Sequence, residues 1–178
     1  MGRLAALPFL IAAIMSGRHA TALVIFLIAS ITDIVDGYLA RHFGMASQLG
    51  AYLDPIADKL FLVSTFVVFA LPGTPSKIKI PLWLLIILIV RDVALLVAGL
   101  IMLLAMKVKQ FPPSPLGKAA TFFEISTIVA IFLANIDLMS PVVAHIGFGV
   151  VAVCVLASGA HYVWRAKWLP REEVGNPT

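Results

Sequence analysis

Six long apolar stretches, separated by short connections, constrain the fold of this chain more than any other feature. Of the 178 residues, 61% are hydrophobic and only 12% are charged, and the mean hydropathy is +1.04. Soluble domains carry about 25% charged residues, so a water-soluble fold would lack the polar surface it needs. The sequence therefore predicts an all-α integral membrane protein.

Most of the apolar stretches reach the roughly 20 residues that a membrane-spanning helix needs. We expect six transmembrane helices, at residues 4–16, 20–43, 50–71, 81–105, 119–138 and 141–164. The first is short and follows Arg3, as in a signal peptide, but it lacks a clear small-residue cleavage site. Proline-containing runs at 72–75 and 111–115 break helices. No repeat or linker interrupts the chain, so residues 1–178 are expected to form a single domain.

Basic residues predict the orientation in the membrane. Six spans place both termini on one side, and that side carries eight basic residues: Arg3, Arg41, Lys107, Lys109, Lys118, Arg165, Lys167 and Arg171. The other side has only Arg18, Lys77 and Lys79. By the positive-inside rule the N and C termini are cytoplasmic. These charges sit at the ends of apolar segments and form no basic stripe, so nucleic acid is not an expected partner.

Four aspartates lie inside the apolar stretches of a chain that has only nine acidic residues. Asp33 and Asp36 are three residues apart on the second predicted helix, and Asp54 and Asp58 are four apart on the third. These spacings put each pair on one helix face, and the two faces meet if the helices form an antiparallel hairpin. Because charge at membrane depth is costly, these acids predict a functional site. The short loop between the helices would open that site to the cytosol.

Four carboxylates at close range repel each other unless cations neutralise them. Mg²⁺ and Mn²⁺ prefer oxygen ligands and bridge carboxylates to phosphates, and two ions about 4 Å apart suit displacement at phosphorus. Gly37, Ala40 and Gly50 would let a bulky ligand approach the backbone, and Arg41 offers a fork to a phosphate. The alternative is a structural one, in which the acids form salt bridges with basic residues. The candidate bases are Arg41, Lys59 and Arg91.

The run D-x2-D-G-x2-A-R-x8-G-x3-D-x3-D resembles the signature of the CDP-alcohol phosphotransferases. All eight signature positions are matched: Asp33, Asp36, Gly37, Ala40, Arg41, Gly50, Asp54 and Asp58. At the chain start, residues 3–8 match only the end of an amphipathic element that members often carry there. Because no signature position is lost, an inactive homologue is disfavoured.

The resemblance implies a six-helix membrane enzyme, commonly a homodimer, that transfers a phospho-alcohol unit from a CDP-alcohol to a second alcohol and releases CMP. It implies that Asp33, Asp36, Asp54 and Asp58 hold one or two divalent ions, Mg²⁺ or Mn²⁺. Asp58 is also implied as the general base for the acceptor hydroxyl. Four further positions are implied to line the CDP pocket: Gly37, Ala40, Arg41 and Gly50.

The run Asp54-Pro-Ile-Ala-Asp58-Lys59 is similar to the branch that contains phosphatidylglycerophosphate synthase and the CMP-forming cardiolipin synthase. This similarity implies CDP-diacylglycerol as donor and glycerol 3-phosphate or phosphatidylglycerol as acceptor. Arg91 and Lys118 are the candidate acceptor-binding residues. Pairing of Arg91 with Asp92 or Glu124, and an interfacial anchor role for Lys118, are the alternatives. Arg91-Asp92 looks more like cardiolipin synthase, and residues 97–100 lack the second arginine typical of the other enzyme.

Two other functions compete with this one. A related enzyme with a different alcohol acceptor would share the signature. A divalent-metal transporter would place acids near the bilayer midplane, often in two related halves, whereas these four acids lie in one hairpin. The brevity of the chain suits a bacterial inner membrane, with the site facing the cytosol. Glu124, an acid within the fifth apolar stretch, is expected to have a partner.

Overall fold

The computed structural model describes the backbone of residues 2–42, 48–106 and 115–167, and the side chains of residues 3–32, 57–97 and 116–161. Within these ranges the protein has six α-helices and no strand. The helices are α1 (Gly2–Met15), α2 (His19–His42), α3 (Gln48–Ala70), α4 (Leu82–Met106), α5 (Pro115–Asn135) and α6 (Pro141–Lys167). The all-α prediction is confirmed, and each helix coincides with one predicted apolar stretch.

The bounds of α5 differ from the prediction at both ends. The helix begins at Pro115 rather than residue 119, because proline has no N–H to satisfy and suits the first helical turn. It ends at Asn135 rather than residue 138, because Asp137 takes a left-handed φ of 61°. A short polar side chain such as aspartate tolerates this conformation.

The same kind of turn ends α1 and α5. Gly17 has a φ of 70°, and the N–H of Arg18 donates to the carbonyl of Ala13 at 2.9 Å. After α5, the N–H of Leu138 donates to the carbonyl of Leu133 at 2.9 Å. This is the Schellman arrangement, which satisfies carbonyls at the helix end and turns the chain sharply. Both turns lead directly into the next helix.

A cluster of buried aromatic rings joins α2, α3 and α5. Phe26 of α2 stacks on Phe61 of α3, with ring centroids 5.5 Å apart. Phe132 of α5 lies 5.8 Å from Phe26 and 5.2 Å from Phe69 of α3. All four rings are at most 1% exposed. The rings join α2 and α3, which are consecutive in the chain, to the more distant α5.

The helices form one bundle around this core. The chain neighbours α1 and α2 pack together, and so do α5 and α6. In addition α1 contacts α3, α5 contacts both α2 and α3, and α4 lies against α3 and α6. The helix α3 therefore contacts α1, α4 and α5, so its described side chains meet neighbours on several sides.

The connection between α3 and α4 is fastened by hydrogen bonds to side chains. Lys79 Nζ donates to the carbonyls of Leu71, Pro72 and Thr74 at 2.7–2.9 Å, which satisfies groups just beyond the end of α3. Asn135 Oδ1, at the end of α5, accepts from the backbone N–H of Lys77 at 2.7 Å. These contacts fix this end of α3 against α5.

One face of α4 is both apolar and exposed. Trp83, Ile86, Val90, Val93 and Val97 recur at helical spacing, and each is about half exposed or more. A continuous apolar face of this length is unfavourable in water and suits a lipid environment. Within the described residues, two segments are long and apolar enough to cross a membrane, Leu116–Asn135 and Pro141–His161. Six spans and cytoplasmic termini remain predictions.

The packing of α5 against α6 depends on a glycine. A Cβ placed on Gly147 would lie 2.7 Å from Oγ1 of Thr127, a side chain that is 3% exposed. At Gly149, two residues on and on the opposite face, nothing lies within 4 Å of an added Cβ. The first position therefore requires glycine and the second does not.

We expect Gly147→Ala to destabilise the protein by about 1–3 kcal/mol, the usual cost of overpacking. Thermal unfolding in detergent measures this as a lower Tm. The matched control Gly149→Ala should leave the Tm unchanged or raise it, since alanine is the better helix former. Removing the clashing atoms in Thr127→Ala/Gly147→Ala should restore part of the loss. Equal stability of the two glycine variants would contradict the assignment.

Candidate active site

The eight signature positions lie on two helices. α2 carries Asp33, Asp36, Gly37, Ala40 and Arg41, and α3 carries Gly50, Asp54 and Asp58. The helical conformation on which the spacing argument relied is therefore confirmed. Only Asp58 has a described side chain, because the side chains of the other seven lie outside the described residues. Their approach across the two helices stays a prediction.

Asp58 lies on α3 with its side chain 38% exposed. Its carboxylate Oδ1 accepts a hydrogen bond from the guanidinium of Arg3, and the two side chains form an ion pair. Arg3 lies in the first turn of α1, and its side chain is 10% exposed. The pair places the start of α1 against α3 and puts a cation beside the predicted general base.

Sequence reasoning missed this role of Arg3. Sequence patterns place Arg3 among the charges that set the topology and in the element at the chain start, but they indicate no partner. The two partners are 55 positions apart, and no periodicity relates α1 to α3. A cation at the start of an apolar helix signals that a partner is needed, but it does not say which acid supplies it.

A second group of charges lies beside the first. Lys59 Nζ is 3.0 Å from Oδ1 of Asp92 and 3.7 Å from Oε2 of Glu124. Arg91 lies 2.7 Å from the same Asp92 oxygen and 4.0 Å from Oε1 of Glu124. Its other terminal nitrogen is 3.4 Å from the hydroxyl of Ser158 on α6. We call Lys59, Arg91, Asp92 and Glu124 the four-charge cluster.

The cluster is almost fully buried. The side chains of Arg91, Asp92 and Glu124 are 7%, 9% and 2% exposed, and that of Lys59 is 27% exposed. A buried charge is tolerated only when it is paired. Two cations and two carboxylates sum to zero formal charge, which meets that condition.

These contacts bear on several sequence predictions. The expected partner for Glu124 is confirmed, and it comprises both Lys59 and Arg91. Pairing of Arg91 with Asp92 and Glu124, one of the two alternatives for that residue, is what the structure shows. Its contact with an acceptor stays a prediction. Lys59 and Arg91, two of the three bases named for the structural alternative, are engaged by acids outside the signature. Asp58 does form a salt bridge, but with Arg3, a base that this alternative did not include.

Lys118 lies exposed in the first turn of α5. This position at a helix start suits both a phosphate contact and an interfacial anchor. Its predicted role at an acceptor therefore remains a prediction.

The donor set fits a divalent cation. Magnesium and manganese take oxygen ligands, and the partly exposed carboxylate of Asp58 follows Asp54 by one helical turn on α3. The sequence prediction adds the carboxylates of Asp33 and Asp36 on α2, whose side chains lie outside the described residues. Among the side chains that the structure describes, no group of three or more His, Cys, Asp or Glu could hold a metal ion. The candidate site therefore depends on the aspartates that accompany Asp58.

Similar proteins point to one family. The family model described as CDP-alcohol phosphatidyltransferase matches residues 1–161. A protein of Bacillus subtilis named CDP-diacylglycerol--glycerol-3-phosphate 3-phosphatidyltransferase is 32% identical over 146 residues, which cover 81% of this chain and 72% of the relative. A probable phosphatidylglycerophosphate synthase of Mycobacterium tuberculosis is 33% identical over 172 residues, 92% of this chain and 77% of the relative.

A putative cardiolipin synthase of Mycobacterium bovis is 34% identical over 145 residues, 81% of this chain and 65% of the relative. Proteins with both kinds of name thus match at nearly equal identity, so similarity alone does not favour one name over the other. The resemblance carried by the eight signature residues agrees with the match along most of the chain. This protein is a member of the CDP-alcohol phosphatidyltransferase family.

Proposed function

We propose that this protein transfers a phosphatidyl group from CDP-diacylglycerol to a glycerol-containing acceptor and releases CMP. Family membership makes it a phosphatidyltransferase of phospholipid synthesis. The observation that carries the proposal is the complete signature on α2 and α3, with Asp58 partly open to solvent. Glycerol 3-phosphate and phosphatidylglycerol are the two proposed acceptors. A family enzyme that uses another alcohol is the alternative.

In the proposed reaction Asp58 accepts the proton of the acceptor hydroxyl. The acceptor oxygen then forms a bond to the lipid-bearing phosphorus, and the bond from that phosphorus to the CMP oxygen breaks. A carboxylate within hydrogen-bond reach of the hydroxyl suits this role. Gly37, Ala40 and Gly50 give the nucleotide close access to the backbone, and Arg41 binds phosphate oxygens.

We assign the metal site to Asp33, Asp36, Asp54 and Asp58, with Mg²⁺ or Mn²⁺ as the ion and two ions as the proposed number. A bound metal ion would neutralise negative charge on the diphosphate and on the departing CMP. The carboxylates would hold the ion next to the negatively charged phosphates of the substrate.

Arg91 and Lys118 are the proposed acceptor contacts. Arg91 shares an oxygen of Asp92 with Lys59, the residue that follows Asp58, so Arg91 lies at the level of the proposed base. A guanidinium at this depth suits an acidic headgroup. Lys118 stands exposed at the start of α5, where an acceptor phosphate can reach it.

The proposed setting is a bacterial inner membrane, crossed six times, with the site and both termini on the cytosolic side and the protein a homodimer. Support comes from the apolar face of α4, the two membrane-length helices and bacterial relatives. A divalent-metal transporter, the competing class, is disfavoured by the family match.

The first prediction concerns the acceptor. Purified protein with CDP-diacylglycerol and Mn²⁺ or Mg²⁺ should release CMP with glycerol 3-phosphate or with phosphatidylglycerol, each supplied separately. The acceptor that yields CMP and the matching lipid product identifies the activity. Absence of CMP with every acceptor, together with metal flux into vesicles, would refute the enzyme assignment.

The second prediction concerns the metal. EDTA in excess should abolish CMP release, because the aspartates then repel each other and the diphosphate lacks a counter-charge. Adding back Mg²⁺ or Mn²⁺ should restore the rate, whereas Na⁺ at equal ionic strength should not. Full turnover by the metal-stripped protein would contradict the proposed site.

The third prediction concerns Asp58. Asp58→Asn should lower kcat by about 10²–10⁴-fold, the usual contribution of a positioned base, while CDP-lipid binding is largely retained. Asp137→Asn is the matched control, since Asp137 lies exposed in the turn after α5 and pairs with Lys77. It should turn over at the wild-type rate. An Asp58→Asn enzyme with full turnover would remove Asp58 as the base.

A further inference from the structure

Asp58 and Lys59 connect α3 to different neighbours at one level of the bundle. Successive helical residues point about 100° apart, so these two side chains leave α3 in different directions. Asp58 pairs with Arg3 of α1. Lys59 pairs with Asp92 of α4 and Glu124 of α5. Three helices thus hold α3 at the position of the proposed base.

The ion pairs of Lys59 with Asp92 and Glu124 are shielded from water. The ammonium nitrogen of Lys59 and Oε1 of Glu124 are both inaccessible to solvent and have no hydrogen-bond partner among the described residues, so the contacts of Lys59 with Asp92 and Glu124 are ionic. Desolvation offsets much of the attraction in a buried ion pair, but removing one partner leaves an uncompensated charge and is strongly destabilising. A rotation of α3 about its axis would separate Lys59 from both carboxylates at once, so the contacts oppose that rotation.

The rotation of α3 also sets the position of the signature acids. Asp54 and Asp58 are four residues apart and share one face of the helix. Any turn of α3 moves both carboxylates together relative to α2. A misplacement of about 1 Å at reacting groups can cost about a hundredfold in rate, so the setting of this helix matters for turnover.

We propose that the four-charge cluster is a positioning device for α3, in which Lys59, held by Asp92 and Glu124, fixes the orientation of the helix that carries Asp54 and Asp58. This inference rests on the proposed function. Lys59 acts through these aspartates and not on the substrate, so it is a positioning residue. Nothing in the signature requires it, because the signature ends at Asp58.

A purely structural role for the cluster makes a different prediction. In that case only the charge balance matters, and any change that restores balance restores activity. Lys59→Met leaves Arg91 with two carboxylates and a net charge of −1. Lys59→Met/Glu124→Gln leaves Arg91 with Asp92 alone and a net charge of zero. The double variant regains the balance but not the contact between α3 and its neighbours.

The experiment compares the two variants by three readouts: Tm in detergent, CMP release, and Mn²⁺ affinity by EPR without lipid substrate. For Lys59→Met we expect a lower Tm and about a 10–100-fold loss in Mn²⁺ affinity and kcat, as for residues that orient metal ligands. In the double variant the Tm should recover while kcat and Mn²⁺ affinity stay low. Lys77→Met is the matched control, since it breaks the exposed pair with Asp137 and should change none of the three.

Each outcome distinguishes a positioning role of the four-charge cluster from a purely structural one. Recovery of kcat and Mn²⁺ affinity together with the Tm in the double variant overturns the positioning role. If Lys59→Met does not fold, the charge-balanced double variant is compared directly with the wild-type protein. Weaker Mn²⁺ binding by the double variant supports the proposal, and wild-type binding overturns it. A wild-type protein that releases no CMP refutes the proposed function, whereas an active one whose double variant recovers refutes this inference alone.

Discussion

The arrangement of the bundle depends on the requirement that charge in an apolar interior be paired. Each buried charged side chain that the structure describes meets an opposite charge. Arg3 meets Asp58, and Arg91 meets Asp92 and Glu124. These pairs link α1 to α3 and α4 to α5, with Lys59 joining α3 to the latter two. Because unpaired charge there is costly, the helices have little freedom to rearrange independently.

The helix α3 is held by a different kind of contact at each level. Ion pairs engage residues 58 and 59, and stacked rings engage Phe61 and Phe69. Beyond its end, Lys79 and Asn135 fasten the connection to α4. The polar contacts lie beside the proposed reacting group and the apolar ones further along. At the first level the side chain of Asp58 stays 38% exposed, whereas Phe61 and Phe69 further along are buried.

Much of the fold followed from the sequence, because long apolar runs and helix-breaking prolines mark six helices directly. The signature acids were also evident, since charge is rare in this chain and their spacing is helical. Which helices pack against each other was not evident from the sequence. Contacts such as Arg3 with Asp58, or Lys59 with Glu124, join positions far apart in the chain, and no local pattern encodes them. An acid inside an apolar stretch, Glu124, indicated that a partner would pair with it. Only the packing of the helices identifies the partners as Lys59 and Arg91.

The pairing of chain neighbours has a consequence for the order of assembly. α1 and α2 are joined by a tight turn at Gly17, and α5 and α6 by the turn at Asp137, so both hairpins can close from local contacts alone. Local contacts form early because they close short loops. The ion pairs of Lys59 need α4 and α5, which the ribosome makes later. During synthesis, α3 therefore has its contact with α1 available before its contacts with α4 and α5, and under the proposed positioning role the site matures only once most of the chain exists.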